Sequence, residues 1–159
     1  MGKISYKDCE ECFLKTYTHL KNVDVGTDLS QIEDLNCYKG IFIGGGNTFK
    51  LLKEIKDSNF DKKLKKYLDD GGFIYGGSAG ATIFGKTIET AINADKNDVN
   101  LKDLSGLNLL NDYNIWCHYD EKNADLSNIK GKTILLYEES GLIFDGKNFI
   151  KIGKEYLEI

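Results

Sequence analysis

Two glycine-rich segments constrain the fold most, because each lies between an apolar run typical of a strand and a segment with helical spacing. The first glycine loop, Gly-Gly-Gly-Asn-Thr at 44–48, follows the apolar residues 41–43, and we expect this run and the one before the second loop to form strands buried on both faces. The second glycine loop, Gly-Gly-Ser-Ala-Gly at 76–80, follows residues 73–75. The chain has no proline, so its tight turns depend on Gly, Asn and Asp. Repeated strand–loop–helix units predict an α/β fold with a doubly wound, mostly parallel sheet, which places functional loops at the carboxyl ends of the strands.

The remaining patterns predict helices and strands on both sides of these loops. A helix is expected over Ser5–Leu20, then a strand at Val23–Val25 and a helix from Asp28 to about Leu35. Further helices are predicted from Phe49 to Ile55 and from Phe60 to Leu68, and later strands at Ile115–Cys117, Thr133–Tyr137, Leu142–Phe144 and Phe149–Ile152. Asp145-Gly146 is typical of a hairpin turn, so the C-terminal strands are expected to form an antiparallel meander. A length of 159 residues favours one domain over the whole chain, 1–159.

Composition excludes several classes of function. The net charge is −4, so the chain lacks the positive field that collects nucleic acid. No apolar run approaches the ~18–20 residues that cross a bilayer, and the first ten residues lack the apolar core of a signal peptide. The four cysteines are too scattered for a disulfide framework. We therefore expect a cytoplasmic protein with reduced thiols and with neither nucleic-acid nor membrane partners.

The second glycine loop has the pattern of a nucleophile elbow. Ser78 stands in a Gly-x-Ser-x-Gly pentad between a predicted strand and a predicted helix. Small residues two positions before and after the serine allow a sharp turn that projects its hydroxyl outward. The backbone N–H of Ala79, at the start of the helix, can then face developing negative charge. Ser78 is the candidate nucleophile.

A serine nucleophile needs a base within hydrogen-bond reach, and only two histidines are present. His19 lies near the end of the first predicted helix, where a structural role is expected. His118 follows a predicted strand and enters a polar loop, so it is the candidate base. The carboxylate that orients the base is expected from Glu138 or Glu139, and alternation along an extended strand allows only one of the two to point inward.

The first glycine loop fits the same chemistry better than nucleotide binding. It lacks the Gly-Lys-Ser/Thr of a Walker loop and the spacing of a dinucleotide fingerprint. An N–H of Gly45 or Gly46 can instead supply a second oxyanion donor. Cys9-x-x-Cys12 has no second ligand pair, so we expect no metal site and no cofactor.

Three segments together resemble a known peptidase family. They are IFIGGGNTFKLL at 41–52, YGGSAGA at 75–81, and HYD at 118–120 followed by EESGLI at 138–143. The combination resembles the serine peptidase family that contains dipeptidase E, the alpha-aspartyl dipeptidase, and cyanophycinase. The resemblance implies a fold like flavodoxin and the class I glutamine amidotransferases, and a serine peptidase that hydrolyses small peptides through an acyl-enzyme.

The resemblance also implies roles for single residues. Ser78, His118 and Glu139 match the catalytic triad, with Glu138 as the alternative to Glu139. Gly45 and Ala79 match the oxyanion hole. Gly46 and Asn47 are expected to contact the substrate.

The chain departs from the family pattern in two ways. Members usually have further strands before the helix that matches Ser5–Leu20, so a sheet edge is expected to be left unpaired. This predicts a homodimer, a rearranged sheet or another partner that covers the edge. Aspartyl dipeptidases are understood to bind the acidic side chain with an arginine, and all 21 basic residues here are lysine. The alternative to a peptidase is therefore a catalytically silent ligand-binding or assembly module of the same fold.

Overall fold

A computed structural model describes residues 6–122, 124–127, 129–153 and 156–159. The chain divides into two compact units, Met1–Glu33 and Asp34–Ile159. The prediction of a single domain stays a prediction. No helix in the described ranges has both the length and the apolarity that crossing a membrane requires.

The first unit contains one α-helix and one short 3₁₀ helix. Helix α1 is Tyr6–Thr16, shorter than the sequence predicted. Val23–Val25 was predicted as a strand, but these residues have no regular structure. In place of the predicted second helix there is a 3₁₀ turn, Leu29–Gln31, which the Asp28 side chain caps by accepting a hydrogen bond from the Ser30 amide. In this segment, residue propensities without apolar periodicity did not predict the secondary structure.

The second unit begins with strands and helices in turn and ends with a run of strands. Its elements, in chain order, are β1 Ile41–Ile43, α2 Thr48–Asp57, α3 Phe60–Asp69, β2 Ile74–Gly76, α4 Ala79–Thr82, a 3₁₀ helix Glu89–Asn93, β3 Asn114–Trp116, β4 Thr133–Leu136, β5 Ser140–Phe144, β6 Phe149–Gly153 and β7 Tyr156–Glu158. The 3₁₀ helix and β7 were not predicted. The α/β class is confirmed.

Helices α2 and α3 form because each has an apolar stripe and a polar face. The Asn47 side chain caps α2 by accepting a hydrogen bond from the Lys50 amide at 3.0 Å. Residues spaced three or four apart are buried on each helix, and lysines occupy the outer faces. The buried set is Phe49, Leu52 and Ile55 on α2 and Phe60, Leu64 and Tyr67 on α3.

The described strands form three separate ladders, which differs from the predicted single sheet. Strands β1 and β2 are parallel, β3–β4–β7 is a mixed sheet with β3 and β4 parallel, and β5–β6 is antiparallel. The β1 and β2 runs were expected to be buried on both faces, yet Phe42 is 42% exposed and Tyr75 51%. These two rings stack on the outer face with centroids 5.3 Å apart. The predicted homodimer stays a prediction.

The parallel pair β3–β4 is the best-buried part of the sheet structure. Ile115, Ile134 and Leu136 join one apolar cluster, and Trp116 and Leu135 join another. Since successive side chains point to opposite faces, the two clusters lie on the two sides of this pair. Burial on both faces is normal for parallel strands. The ends of β3 and β4 are therefore held firmly, and both lead into the site described below.

The C-terminal segment contains the predicted hairpin but not the whole predicted meander. Strands β5 and β6 pair through Ile143 and Ile150, and Asp145 closes the turn by accepting hydrogen bonds from the Lys147 and Asn148 amides. Strand β4 pairs with β3 and β7, not with β5, among the described residues.

Candidate active site

Ser78 lies in a strained turn that the surrounding backbone imposes. Its φ of 53° and ψ of −115° are unfavourable for a residue with a side chain. The glycines beside it are sterically required: a Cβ on Gly76 would lie 2.5 Å from the Gly80 carbonyl oxygen, and one on Gly80 would lie 2.1 Å from that of Ile43. Close approach of α4 to the ends of β1 and β2 therefore fixes the turn.

The carbonyl oxygen of Ser78 is held from several directions. It accepts hydrogen bonds from the amides of Ala81 and Thr82, both at 2.9 Å, and from the Thr82 hydroxyl at 3.2 Å. The Cys117 thiol donates a further, weaker bond at 3.5 Å from the neighbouring strand end. Burial raises the pKa of this thiol to about 11, so at neutral pH it stays protonated and acts as a donor.

His118 lies just beyond the end of β3, and its ring reaches Ser78. Nε2 of His118 is 2.9 Å from Oγ of Ser78. The backbone of His118 has a φ of 56°, which turns the chain out of the strand direction and presents the ring at the sheet edge. The structure thus brings together the predicted nucleophile and base, whose catalytic roles stay predictions.

Glu138, rather than Glu139, holds the second ring nitrogen. Oε1 of Glu138 is 2.5 Å from Nδ1 of His118. The sequence interpretation placed Glu139 here with Glu138 as the alternative. Because β3 and β4 are parallel, their carboxyl ends meet at one edge, and Glu138 lies just beyond β4. Glu139 has a φ of 62° in a turn closed by the Ser140 amide and the Tyr137 carbonyl, so it leads the chain into β5.

The predicted oxyanion donors flank Ser78. A Cβ on Gly45 would lie 3.3 Å from Cβ of Ser78, so the first glycine loop touches the nucleophile. Within the described part of the chain, the amides of Gly45 and Ala79 donate no hydrogen bond. Their role as oxyanion donors stays a prediction.

The two predicted substrate contacts differ in their surroundings. Gly46 lines a cavity beside Ser78. Asn47 caps α2 through its carbonyl oxygen, and its Nδ2 donates to the Lys96 carbonyl at 2.8 Å. The structure therefore gives Asn47 a scaffolding role, and its contact with substrate stays a prediction.

The cavity beside Ser78 has a volume of about 180 Å³. Besides the predicted residues, its wall contains groups that sequence reasoning missed, namely Thr48, Thr82, Thr90, Ala91, Ala94, Asp95 and Trp116. Asp95 accepts hydrogen bonds from the Thr48 amide at 2.8 Å and the Thr48 hydroxyl at 2.6 Å, and so ties the start of α2 to the segment after the 3₁₀ helix. No local motif marks Asp95, which lies in a polar stretch that the sequence indicates only as a loop.

Among the described residues, no three His, Cys, Asp or Glu side chains lie close enough together to hold a metal ion. The groups that the structure brings together are the Ser78 hydroxyl, the His118 imidazole and the Glu138 carboxylate. These three groups lie at the carboxyl ends of parallel strands in an α/β fold. This is the arrangement used by the serine hydrolase class.

Comparison with known proteins identifies the family. The chain belongs to peptidase family S51, whose sequence model matches residues 6–159. The family resemblance found in the sequence is therefore confirmed.

Individual relatives agree with this assignment. The chain is 33% identical over 123 residues to an uncharacterized peptidase of Listeria monocytogenes, covering 74% of this chain and 58% of the relative. It is 31% identical over 93 residues to Peptidase E of Escherichia coli, covering 58% of this chain and 38% of the relative. The crystal structure of a candidate Peptidase E from Listeria monocytogenes superposes with a TM-score of 0.61 at 27% identity, covering 74% of this chain and 60% of that one. The chain thus spans less than two thirds of the length of these relatives.

Proposed function

We propose that the protein is a serine peptidase that hydrolyses small peptides through an acyl-enzyme. The observation that carries this proposal is the His118 ring, whose two nitrogens lie 2.9 Å from Ser78 Oγ and 2.5 Å from Glu138 Oε1. An imidazole held between a hydroxyl and a carboxylate is the arrangement that lets serine act as a nucleophile at neutral pH. Membership of peptidase family S51 supports the same reaction.

The proposed reaction proceeds in two halves. Oγ of Ser78 attacks the peptide carbonyl while Nε2 of His118 takes the hydroxyl proton, and the amides of Gly45 and Ala79 stabilise the oxyanion. The C–N bond then breaks, and His118 passes the proton to the leaving amine. Water attacks the acyl-serine with His118 again as base, which releases the acid and restores Ser78. Glu138 orients the ring and stabilises the imidazolium.

The cavity supports a small substrate. Its volume of about 180 Å³ is below the ~300–1,000 Å³ of typical ligand pockets, which favours a small substrate. Gly46 in its wall has a φ of 133° and no atom within 4 Å of a Cβ position, so main chain there can approach a peptide closely. We therefore propose that the substrate inserts a single residue next to Ser78.

A serine-directed probe tests the proposal directly. We expect a fluorophosphonate to label the folded protein once, at Ser78, as measured by intact mass and peptide mapping. Ser78→Ala should remain unlabelled and should hydrolyse a dipeptide library about 10⁴-fold more slowly. Ser105→Ala, which changes an exposed serine away from the cavity, is the matched control and should be labelled like wild type.

A protein that does not react with the probe would favour the alternative, a catalytically silent ligand-binding or assembly module. If folded wild-type protein neither reacts with the probe nor hydrolyses any dipeptide, the row of Ser78, His118 and Glu138 is not a working triad. Labelling at a different serine would also contradict the assignment.

A further inference from the structure

The peptide bond between Ser78 and Ala79 joins two groups of the candidate site. Its carbonyl belongs to Ser78, and its N–H belongs to Ala79, the oxyanion donor in the proposed mechanism. The bond is trans, so the N–H points the opposite way from the C=O. Any group that fixes the direction of the Ser78 carbonyl therefore also fixes the direction of the Ala79 N–H.

Two side chains hold this carbonyl in addition to the backbone. The amides of Ala81 and Thr82 donate to it at 2.9 Å, as amides in the first turn of a helix do. The Thr82 hydroxyl adds a bond at 3.2 Å, and the Cys117 thiol adds one at 3.5 Å. Cys117 lies 39 positions along the chain, immediately after β3. Its bond thus ties the serine turn to the strand that leads into His118.

Thr82 and Cys117 are buried donors in contact with each other. Only 5% of Thr82 is exposed, and burial raises the pKa of the Cys117 thiol, so the thiol keeps its hydrogen at neutral pH. The Thr82 hydroxyl also lies in hydrogen-bond reach of the thiol. A threonine in a helix commonly bonds the carbonyl four residues before it. The second side-chain donor comes from a different element, and the helix alone does not explain it.

The strained backbone at Ser78 makes this hold on the carbonyl important. Its φ of 53° and ψ of −115° persist only where the surroundings enforce them. Because ψ of Ser78 sets the rotation of the next peptide, a weaker hold lets that peptide relax and turn the Ala79 N–H away. Hydrogen bonds to a carbonyl also polarise the peptide unit, which makes its N–H a stronger donor.

We propose that Cys117 and Thr82 are positioning residues for the oxyanion hole. They act through the Ser78 carbonyl and aim the Ala79 N–H at the oxygen of the reacting carbonyl. This inference rests on the proposed peptidase function, which assigns the Ala79 amide to the oxyanion. It gives the buried thiol beside the base the role of a neutral hydrogen-bond donor, not that of a nucleophile.

The test separates transition-state stabilisation from substrate binding and from folding. The readouts are kcat and KM for the dipeptide of the library that wild type hydrolyses fastest, and the rate constant for labelling of Ser78 by the fluorophosphonate. We expect Cys117→Ala and Thr82→Val each to lower kcat and the labelling rate about tenfold, less than the 10²–10³-fold loss of a whole oxyanion donor. KM should stay within about twofold, because the aimed N–H acts mainly in the transition state.

Conservative variants and matched controls assign the effect to the donated hydrogen bonds. Cys117→Ser and Thr82→Ser keep a donor, so kcat should stay within about threefold of wild type. Thr133→Val removes a buried hydroxyl that donates to a backbone carbonyl at 3.2 Å away from the cavity. Cys37→Ala removes an exposed thiol that donates to a backbone carbonyl at 3.6 Å. Both controls should keep the kcat of wild type.

Circular dichroism and urea unfolding check that each variant is folded. If Cys117→Ala does not fold, Thr82→Val decides, since it acts on the same carbonyl. The inference is overturned if both donor-free variants keep full kcat, if Cys117→Ser loses as much as Cys117→Ala, or if only KM changes. An active wild type with any of these results overturns this inference alone. A wild type that shows neither labelling at Ser78 nor turnover overturns the proposed peptidase function and this inference with it.

Discussion

The two glycine loops look alike in sequence but need their glycines for different reasons. They follow paired strands, with Ile43 opposite Gly76 in the register. In the first glycine loop, a Cβ on Gly44 would touch only the Phe42 ring at 3.7 Å, which is ordinary contact. In the second, a Cβ on Gly80 would overlap the Ile43 carbonyl oxygen at 2.1 Å. The first loop therefore has room for a side chain at Gly44, whereas backbone fills the space at Gly80 of the second loop.

Because of this difference, the two loops contribute to the site in different ways. The crowded second loop holds one side chain, Ser78, in a strained conformation and aims its hydroxyl. The first loop lines the cavity at Gly46, and in the proposed mechanism it contributes the N–H of Gly45. We therefore expect the second loop to be sensitive to atoms added at Gly76 or Gly80, and the first loop to be sensitive to changes that move the Gly45 amide.

The largest expected effect comes from adding one methyl group to the second loop. Gly80→Ala should lower the free energy of unfolding by about 3 kcal/mol, since the clash is with backbone that cannot rotate away. Urea unfolding measures it. Gly44→Ala, the matched change in the first loop, should stay within about 0.5 kcal/mol. Equal losses in the two variants would remove the contrast between the loops.

The next largest effect distinguishes Glu138, which contacts the base of the second loop's serine, from the adjacent Glu139. Glu138→Gln should lower kcat/KM for peptide hydrolysis about 100-fold, equal to about 2.7 kcal/mol, because an amide cannot stabilise the imidazolium. The effect is smaller than for a buried partner because the Glu138 side chain is 74% exposed. Glu139→Gln should change kcat/KM by less than about threefold. The reverse ranking would restore the triad first expected from the sequence.

These two glutamates show where sequence reasoning ends. Strand–loop–helix order was enough to place Ser78 and His118 at the carboxyl ends of strands, and the structure brings these two ends together although β2 and β3 belong to separate ladders. Choosing between Glu138 and Glu139 required the left-handed turn at Glu139, which no residue pattern indicates. A single-residue shift at the end of a strand reverses which side chain points inward.

Asp95 and the β1–β2 pair illustrate the same limit at longer range. Asp95 meets Thr48 across 47 positions of the chain, so its place in the cavity depends on how a polar loop folds back. The apolar run at β1 correctly indicated a strand. It did not indicate the burial of that strand, because its outer face, with Phe42 and Tyr75, is partly exposed. Local patterns specify elements, and contacts between distant segments specify the site.

A smaller effect sharpens the main-chain role of the first loop. Gly45→Ala should lower kcat about tenfold, or about 1.4 kcal/mol, because its Cβ would lie 3.3 Å from Cβ of Ser78 and must displace the amide or the serine slightly. The free energy of unfolding should fall by less than about 1 kcal/mol, since the contact is only slightly short. Steady-state kinetics and urea unfolding give the two values. Gly44→Ala should retain full kcat, and a loss there as well would indicate general damage to the loop.

High pH should weaken the hydrogen bond that the Cys117 thiol donates to the second glycine loop. Burial raises the pKa of Cys117 from 9.0 to about 11, so its stabilising contribution is complete below pH 9 and is lost as the pH rises towards 11. At about pH 10, the free energy of unfolding of wild type should have fallen by about 1 kcal/mol more than that of Cys117→Ala. Parallel urea titrations measure this difference. Cys37→Ala removes an exposed thiol and should follow wild type at every pH.

The smallest expected effect concerns the ion pair that anchors the helix after the first loop. Lys56 of α2 donates to Asp103 at 2.8 Å and to the Ser105 carbonyl at 2.6 Å. Hydrogen bonds from Lys56 and Ser105 hold the pKa of Asp103 below its ordinary 3.8, so the contribution is complete above that value and is lost as the pH falls further. Because Asp103 is largely exposed, Asp103→Asn should cost only about 0.5 kcal/mol at neutral pH. The difference from wild type in urea unfolding should shrink below pH 3.8 and in high salt. A difference that grows in acid would mean that the first loop is anchored by something other than this charge pair.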